Sequence, residues 1–351
     1  MNEFTNRIIV GDVLRTLKEI PNDSVDLVIT SPPYYHQRDY GNNSEIIGAE
    51  DTPEDYVEKL VSVILETERI IKDTGSIIFN VGDKYDSKGS LMLIPYRFAI
   101  DAMRKSKLKL INDISWVKPN PQPRQFKRRL VSCHEPFFHF VKSNRYKYYP
   151  DRFESLISEE KKVIKRSGEK IGSRYFGLIE KSTLTDEQKE NARRDLLIVI
   201  SEAKKGEIAS FRMKIKGIHA PAYGGYEGGR KMHMESRGYT IIRMPGNTLK
   251  RDVIVSPKAL NQDTDHPAVF PESVVERLVH LTTDTGDVVL DPFVGSGTTC
   301  VVAKKNGRDY IGIDINETFC NTARMRLDAI PLQYRIENWN KGLLESTGEV
   351  K

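Results

Sequence analysis

The chain is predicted to be an α/β protein built on a Rossmann-like, doubly wound, mostly parallel sheet with one antiparallel strand and an inserted region. Three observations predict it. Short β-branched apolar runs alternate with amphipathic segments over about the first 145 residues. That rhythm breaks near residue 150 and returns near residue 250. Two of the apolar runs, far apart in the chain, end in turn-rich corners that carry unusual chemistry: SPPYY (31–35) and DPFVGSGTT (291–299).

Taken in order, RIIVGD (7–12) reads as a strand and VLRTLKEI (13–20) as a short helix stopped by Pro21. SVDLVIT (24–30) is a β-branched strand. TPEDYVEKLVSVILETERIIKDTG (52–75) reads as a helix capped by Thr52, opened by Pro53 and ended by Gly75. SIIFNVGD (76–83) is the next strand and LIPYRFAIDAMRK (93–105) the next helix. LINDISWVKP (110–119) and HEPFFHFVK (134–142) are strands with no room for a helix between them, which supplies the antiparallel member. In the middle, LTDEQKENARRDLLIVISEAKKGEI (184–208) is a charged helix whose Thr185 and Gln188 have capping-box spacing. HAPAYGGYEGGRKMH (219–233) reads as a Gly-rich, Tyr-dotted basic loop. Alternation then resumes with a helix (272–282), a strand (287–293), a helix (297–307), a strand (309–315) and a last helix (317–330). The expected organisation is a catalytic half over 1–150, a target recognition region of low regularity over 151–250, and a cofactor-binding half over 251–351.

Composition narrows the class. The 351 residues are 38% hydrophobic and 29% charged, as in a globular protein with a sizeable core. No run approaches the roughly 20 apolar residues of a membrane span, and the N-terminus lacks a signal-peptide pattern. Cys133, Cys300 and Cys320 are dispersed, which argues against a disulfide scaffold or zinc site and fits a reducing cytoplasm. The histidines show no metal-ligand spacing. The net charge of +5 is uneven: residues 118–250 hold 29 Lys and Arg against 15 Asp and Glu, and the remainder holds 25 against 34. A basic middle between acidic ends suggests a polyanion partner.

The DPFVGSGTT corner suits a nucleoside ligand. A strand ends at Asp291, Gly295 and Gly297 let a ligand approach the backbone, and a helix follows. Asp314, 17 residues after Gly297, ends the next strand, where a carboxylate can take two ribose hydroxyls. The dinucleotide pattern G-x-G-x-x-G fails, because Cys300 stands where the third glycine belongs. Asp291 at the mouth would repel a pyrophosphate. Both points count against a nicotinamide oxidoreductase and favour a cationic, phosphate-free ligand such as S-adenosylmethionine. At the other corner, Pro32 and Pro33 fix φ and lack N–H groups. The Ser31 hydroxyl and the Pro32 carbonyl then form an acceptor station for an –NH2 group. Tyr34 offers a flat face on which a base could stack, worth about 1–3 kcal/mol.

Together the two corners resemble the catalytic and cofactor motifs of S-adenosylmethionine-dependent DNA amino-methyltransferases, which modify N4 of cytosine or N6 of adenine. The catalytic motif precedes the basic middle and the cofactor loop comes last, a circularly permuted order similar to the family's β group. The resemblance covers about residues 1–145 and 250–330. It implies that Ser31, Pro32, Pro33 and Tyr34 hold and stack the target base. It implies that Phe293, Gly295, Gly297 and Thr298 shape the cofactor loop, that Asp291 lies near the methionine moiety and that Asp314 takes the ribose. It further implies that Asp12 contacts the adenine amine, and that His266 belongs to a lead-in closing over the methionine end. The implied partner is double-stranded DNA, with no membrane, a monomer or homodimer, and a cognate restriction endonuclease acting separately where the enzyme is a modification arm. Lys127, Arg128, Arg129 and the 228–239 stretch are candidates for phosphate contacts.

The expected reaction is in-line displacement of a methyl group from a sulfonium by an amine. Ser31 Oγ and the Pro32 carbonyl would take the amine's two hydrogens and aim its lone pair; positioning of this kind contributes roughly 7–11 kcal/mol. The base must first leave the duplex, at a cost of a few kcal/mol. Ser at the first motif position points to N4 of cytosine. N6 of adenine, an RNA target and a catalytically silent DNA-binding module are the alternatives.

Overall fold

The computed structural model of the chain describes residues 3–37, 47–121, 128–154, 172–205, 208–219, 230–245, 251–257 and 271–331. Contacts divide the chain into two units, Met1–Leu156 with Arg251–Lys351, and Ile157–Lys250. The first unit is therefore assembled from both ends of the chain.

Its strands are β1 (Arg7–Val10), β2 (Val25–Thr30), β3 (Ile71–Asn80), β4 (Lys109–Val117) and β5 (His134–Val141), then β8 (Val253–Val255), β9 (Val288–Asp291) and β10 (Asp309–Asp314). They form one sheet in the order β1-β10-β9-β2-β3-β5-β4-β8. β5 runs antiparallel to both β3 and β4, and the other neighbours are parallel. Helices cover both faces. On one side α1 (Val13–Glu19), α2 (Pro53–Ile70) and α3 (Ile94–Lys105) bury Leu17, Leu60, Ile64 and Phe98 against Val28, Ile77, Phe79, Phe138 and Phe140. On the other, α8 (Glu272–Thr282), α9 (Thr298–Lys305) and α10 (Glu317–Asp328) bury Leu278, Val301 and Ala323 against Leu27, Ile29, Ile78 and Val289. Residues 27, 28 and 29 alternate between the two cores, as a strand buried on both faces requires. The short α4 (Pro150–Glu154) completes this unit.

The second unit has α5 (Ser173–Glu180), α6 (Asp186–Lys205), α7 (Arg230–Ser236) and an antiparallel ribbon of β6 (Ile208–Ile215) and β7 (Tyr239–Pro245). Tyr175, Ile179, Leu196, Met213, Ile215 and Tyr239 form its own core. The expected low regularity is corrected here, because the ribbon and α6 bury a shared apolar face. The capping box is present in both directions: Gln188 N donates to Thr185 Oγ1 (3.2 Å) and Thr185 N to Gln188 Oε1 (3.1 Å). α7 begins inside the stretch expected to be a basic loop at 219–233, and the candidate phosphate-contact stretch 228–239 holds α7 and the first residue of β7.

Two further differences have local causes. α2 stops at Ile70 rather than Gly75, and β3 starts at Ile71. The register jumps from Val25↔Ile71 to Leu27↔Ser76, so the intervening residues bulge out of the ladder. Gly75 allows that bulge to close: a Cβ there would stand 2.7 Å from the Asp26 carbonyl oxygen. β8, unpredicted because it is three residues long, extends the sheet beside β4.

His139 on β5 is fully buried; its Nε2 lies 2.9 Å from Ser76 Oγ and its Nδ1 has no hydrogen-bond partner among the described residues. Burial pushes its pKa down to about 3. The unfolded chain protonates this imidazole near pH 6.5 and the folded one does not. Its contribution is fully present above that pH and is lost as pH falls from about 6.5 towards 3, at up to about 1.4 kcal/mol per pH unit. His139→Gln is expected to flatten the acid side of the stability curve, as measured by urea denaturation across that window.

Candidate active site: two strand ends at the switch of the sheet

Chain order reverses between β9 and β2. From β9 the chain moves through α9 to β10 on one side, and from β2 through α2 to β3 on the other. In open α/β sheets a crevice opens at the carboxyl ends of strands flanking such a reversal. SPPYY follows β2 and DPFVGSGTT follows β9, so both corners rise at this crevice. The ladder between the two strands pairs Leu27↔Val289 and Val28↔Leu290. Beyond it, Thr30 Oγ1 donates to Asp291 Oδ1 at 2.6 Å, joining the residue before Ser31 to the last residue of β9.

Asp291 is buried, and its Oδ1 also accepts from Phe293 N at 3.1 Å. Desolvation lifts its pKa to about 6, against the pull of its hydrogen bonds. Asp314 ends β10; its Oδ2 accepts from Gly295 N (2.9 Å) and its Oδ1 from Asn316 N (2.9 Å). Burial raises its pKa too. One carboxylate thus holds the loop at Gly295 and the start of α10 together. β1 lies beside β10 with Val10↔Asp314 paired, which brings Asp12 to the same edge. Asp12 Oδ1 caps α1 by accepting from Arg15 N at 2.9 Å.

The loop's small residues divide their work. Gly295 has φ +48° and presents its N–H to Asp314. Gly297 has φ +84°, and a Cβ there would meet Ala323 Cβ at 2.7 Å. Its missing side chain admits α10. The Thr298 side chain is also turned to this packing, because Arg326 Nη1 reaches Thr298 Oγ1 (3.1 Å) and the Ser296 carbonyl (2.7 Å). Arg326 Nη2 meets Glu272 at 3.1 Å, so one guanidinium holds the back of the loop. Phe293 packs, partly buried, against the core under α1–α3. His266 and Lys127 lie outside the described residues. Arg128 is exposed, and the Arg129 guanidinium lies 3.7 Å from the Tyr85 ring centre.

At the other corner, the Pro33 carbonyl accepts from Tyr56 Oη of α2 at 2.8 Å. This modifies the expectation of free carbonyls, leaving Pro32 as the acceptor with no hydrogen bond among the described residues. Tyr34 is more confined than a free stacking platform. One side of its ring lies on Gly82, where a Cβ would come within 2.3 Å of Cε2. Its hydroxyl lies 2.7 Å from Asn80 Oδ1, 3.1 Å from Glu135 Oε2 and 3.1 Å from Ser31 Oγ. Desolvation, then the Glu135 charge, hold its pKa well above the ordinary phenol range. Asn80 Nδ2 donates to the Pro136 carbonyl at 2.9 Å, which aims its oxygen at Tyr34. Glu135 pairs in turn with buried Lys118, whose ammonium lies 4.3 Å from the Trp116 ring centre.

Sequence reasoning missed Thr30, Asn80, Gly82, Lys118, Glu135 and Arg326. A usable signal existed for two of them. Lys118 and Glu135 are opposite charges at the joined ends of two strands expected to pair antiparallel, and Trp116↔Glu135 are indeed opposite each other.

A profile of the DNA methylase family (N6/N4 type) matches residues 25–325. The chain belongs to this DNA methylase family. It is 26% identical over 349 residues to the Type II methyltransferase M.SmaI of Serratia marcescens, covering 92% of this chain and 90% of that protein. It is 28% identical over 373 residues to M.SfiI of Streptomyces fimbriatus, covering 88% of each. Among solved structures it resembles PvuII DNA methyltransferase (cytosine-N4-specific), with a TM-score of 0.57, 16% identity, and coverage of 97% of this chain and 93% of that one. The TTHA0409 protein of Thermus thermophilus, solved with S-adenosyl-L-methionine, gives a TM-score of 0.50 at 21% identity over 92% of this chain and 93% of that one. These two likenesses establish the fold: a large mixed α/β sheet shared with DNA methylases.

In this DNA methylase the α9–α10 contact at Gly297 leaves no space for a methyl group. Gly297→Ala is expected to lower folding stability by about 1–3 kcal/mol through overpacking, with further strain from its left-handed φ. Urea denaturation of both proteins measures it.

Proposed function

We propose that this DNA methylase transfers a methyl group from S-adenosylmethionine to the exocyclic N4 amine of a cytosine flipped out of duplex DNA, as the modification arm of a restriction–modification system. The observation that carries the reading is the 2.6 Å bond from Thr30 to Asp291, which puts an amine-accepting corner and a nucleoside-accepting corner on one crevice. The Type II methyltransferase relatives support the DNA substrate and the modification role. Ser31, a neutral acceptor at the head of the motif, supports N4 of cytosine.

The donor set suits the methyl donor, which supplies an electrophilic methyl group on a sulfonium. Asp291 is buried at the mouth and its ionised form lacks a cationic partner among its described contacts, an imbalance of charge that an ammonium satisfies. Asp314 keeps lone pairs for ribose hydroxyls beyond the two backbone N–H bonds it accepts. On the other side of the crevice, Ser31 Oγ and the Pro32 carbonyl take the two amine hydrogens. Both hydrogen bonds draw the nitrogen out of conjugation with the ring and turn its lone pair towards the methyl group. Tyr34, backed by Gly82, offers its remaining face to the base.

Ser31→Ala is expected to lower the single-turnover rate of methyl transfer by about 10²-fold or more, with duplex binding unchanged; transfer at the full rate would remove Ser31 from the chemistry. Digestion of the product to nucleosides should yield N4-methylcytosine, whereas N6-methyladenine alone would overturn the base assignment.

Asp291 gives a pH dependence. In the free protein its raised pKa means that stability from the neutral carboxyl is present at low pH and lost as pH rises through about 6. A cationic ligand favours the ionised form, so affinity for S-adenosylmethionine should climb with pH up to about 6 and then level off. The slope can approach about tenfold per pH unit. Asp291→Asn should bind more weakly at about pH 7.5 and show no such climb in calorimetric titrations.

A further inference from the structure

Among the described residues, the site contains a connected line of exchangeable protons that neither the base contacts nor the cofactor contacts require. It begins at Ser31 Oγ, passes to Tyr34 Oη at 3.1 Å, and reaches Glu135 Oε2 after a further 3.1 Å. Oε1 of the same carboxylate is held by Lys118. The line draws on four parts of the fold: the corner after β2, the end of β3 through Asn80, the start of β5 and the end of β4.

We propose that Glu135, acting through Tyr34 and Ser31, is the acceptor of the proton that the methylated amine must lose. The inference rests on the amino-methyltransferase reading above. As the nitrogen bonds to the methyl group and the sulfonium carbon–sulfur bond breaks, the nitrogen becomes cationic with two hydrogens. One passes to Ser31 Oγ while the serine's own proton moves to Tyr34 Oη and the phenolic proton moves to Glu135 Oε2. Serine and tyrosine end neutral, each having taken one proton and given one, and the N–H electron pair stays on nitrogen as its restored lone pair. Glu135 ends as a carboxylic acid and returns its proton to water through its partly exposed side.

Three features favour Glu135 over the other groups present. Asn80 Oδ1 is closer to the phenol, at 2.7 Å, but an amide oxygen accepts a hydrogen bond and does not hold a proton at neutral pH. Its amide nitrogen is committed to the Pro136 carbonyl, so Asn80 can only orient the phenol. The Tyr34 phenol is held well above the ordinary phenol range by desolvation and the Glu135 charge, so it relays by concerted exchange. The charged and titratable groups that contact Glu135 among the described residues are Lys118, just after β4, and Tyr34 from the corner after β2. Lys118 keeps the carboxylate in place before transfer and stays close to Trp116 afterwards.

Serine's role as an acceptor follows from the same line. Its hydroxyl can donate to Tyr34 Oη (3.1 Å) or Asn80 Oδ1 (3.4 Å), which leaves the oxygen's lone pairs for the target amine. Glu135 thus acts on the substrate only through Tyr34 and Ser31.

The test is single-turnover methyl transfer to duplex DNA between about pH 5 and 9 by wild type, Glu135→Gln, Tyr34→Phe and the double variant, each checked for S-adenosylmethionine binding. Tyr34→Phe keeps the ring and loses the hydroxyl; Glu135→Gln keeps the shape and loses the base. Each single variant should be slower by about 10²-fold with S-adenosylmethionine affinity unchanged, and the double variant should be no slower than either. Full-rate transfer by either single variant, or losses that multiply in the double, would overturn the inference while leaving the methyltransferase reading intact. A wild-type protein that binds S-adenosylmethionine but transfers no methyl group to DNA would overturn both. If both variants lose cofactor binding, Glu135 is a folding residue and the inference fails as well.

Discussion

The hydrogen bond from Thr30 to Asp291 occupies the point on which the site depends. The β2–β9 ladder ends at Val28↔Leu290, and the two chains then separate to form the crevice. A carboxylate buried at that fork is costly unless it is hydrogen-bonded. Thr30 and the Phe293 N–H satisfy Asp291 without neutralising it. The result is a buried acid whose pKa is lifted to about 6 by desolvation. The same bond fixes the backbone immediately before Ser31. A single contact therefore ties the SPPYY corner to the DPFVGSGTT corner.

Rigidity at the catalytic corner comes from outside the corner. Two prolines remove φ freedom, but the corner's orientation is held by Tyr56 on α2 at the Pro33 carbonyl and by Asn80 and Glu135 at Tyr34. Gly82 permits the ring to lie on the backbone. The loop after β3 is fastened back in turn: Lys84 Nζ reaches the His36 carbonyl (2.9 Å) and Gln37 Nε2 the Asp83 carbonyl (2.8 Å). Asp83 also accepts from Leu93 N and Ile94 N, serving as a distant cap for α3. Pre-ordering of this sort lowers the entropy still to be lost when a flipped base arrives.

Much of this architecture was readable in the residues because local chemistry and tertiary structure agree. Thr52 and Pro53 announced the start of α2, and Thr185 with Gln188 announced α6, because caps act within one turn. SPPYY and DPFVGSGTT were readable because proline and glycine constrain the backbone by themselves. What escaped was decided by contact between distant segments. The approach to Gly297 of α10, a helix that starts twenty residues later, left no local signal. Arg326 and Glu272 carry no local pattern, yet they clamp the loop from behind. The second unit looked irregular because its ribbon pairs residues 208–215 with 239–245 across a long interval, and short periodicities do not register such pairing.

A count of protons clarifies why serine suits the head of the motif. The target amine brings two hydrogens and needs two acceptors. The Pro32 carbonyl has lone pairs and no proton. Serine has one proton, which would oppose an incoming N–H unless something else accepts it. Tyr34 Oη, 3.1 Å away, accepts it and passes its own proton onward to Asn80 or Glu135. Both of those can accept, so the chain of donors ends without an orphaned hydrogen. On the proposed reading the neutral corner offers a pair of acceptors while carrying no charge of its own. An added carboxylate beside Asp291 and Asp314 would raise the cost of ionising those two buried acids. The negative charge is instead kept at Glu135, where Lys118 balances it.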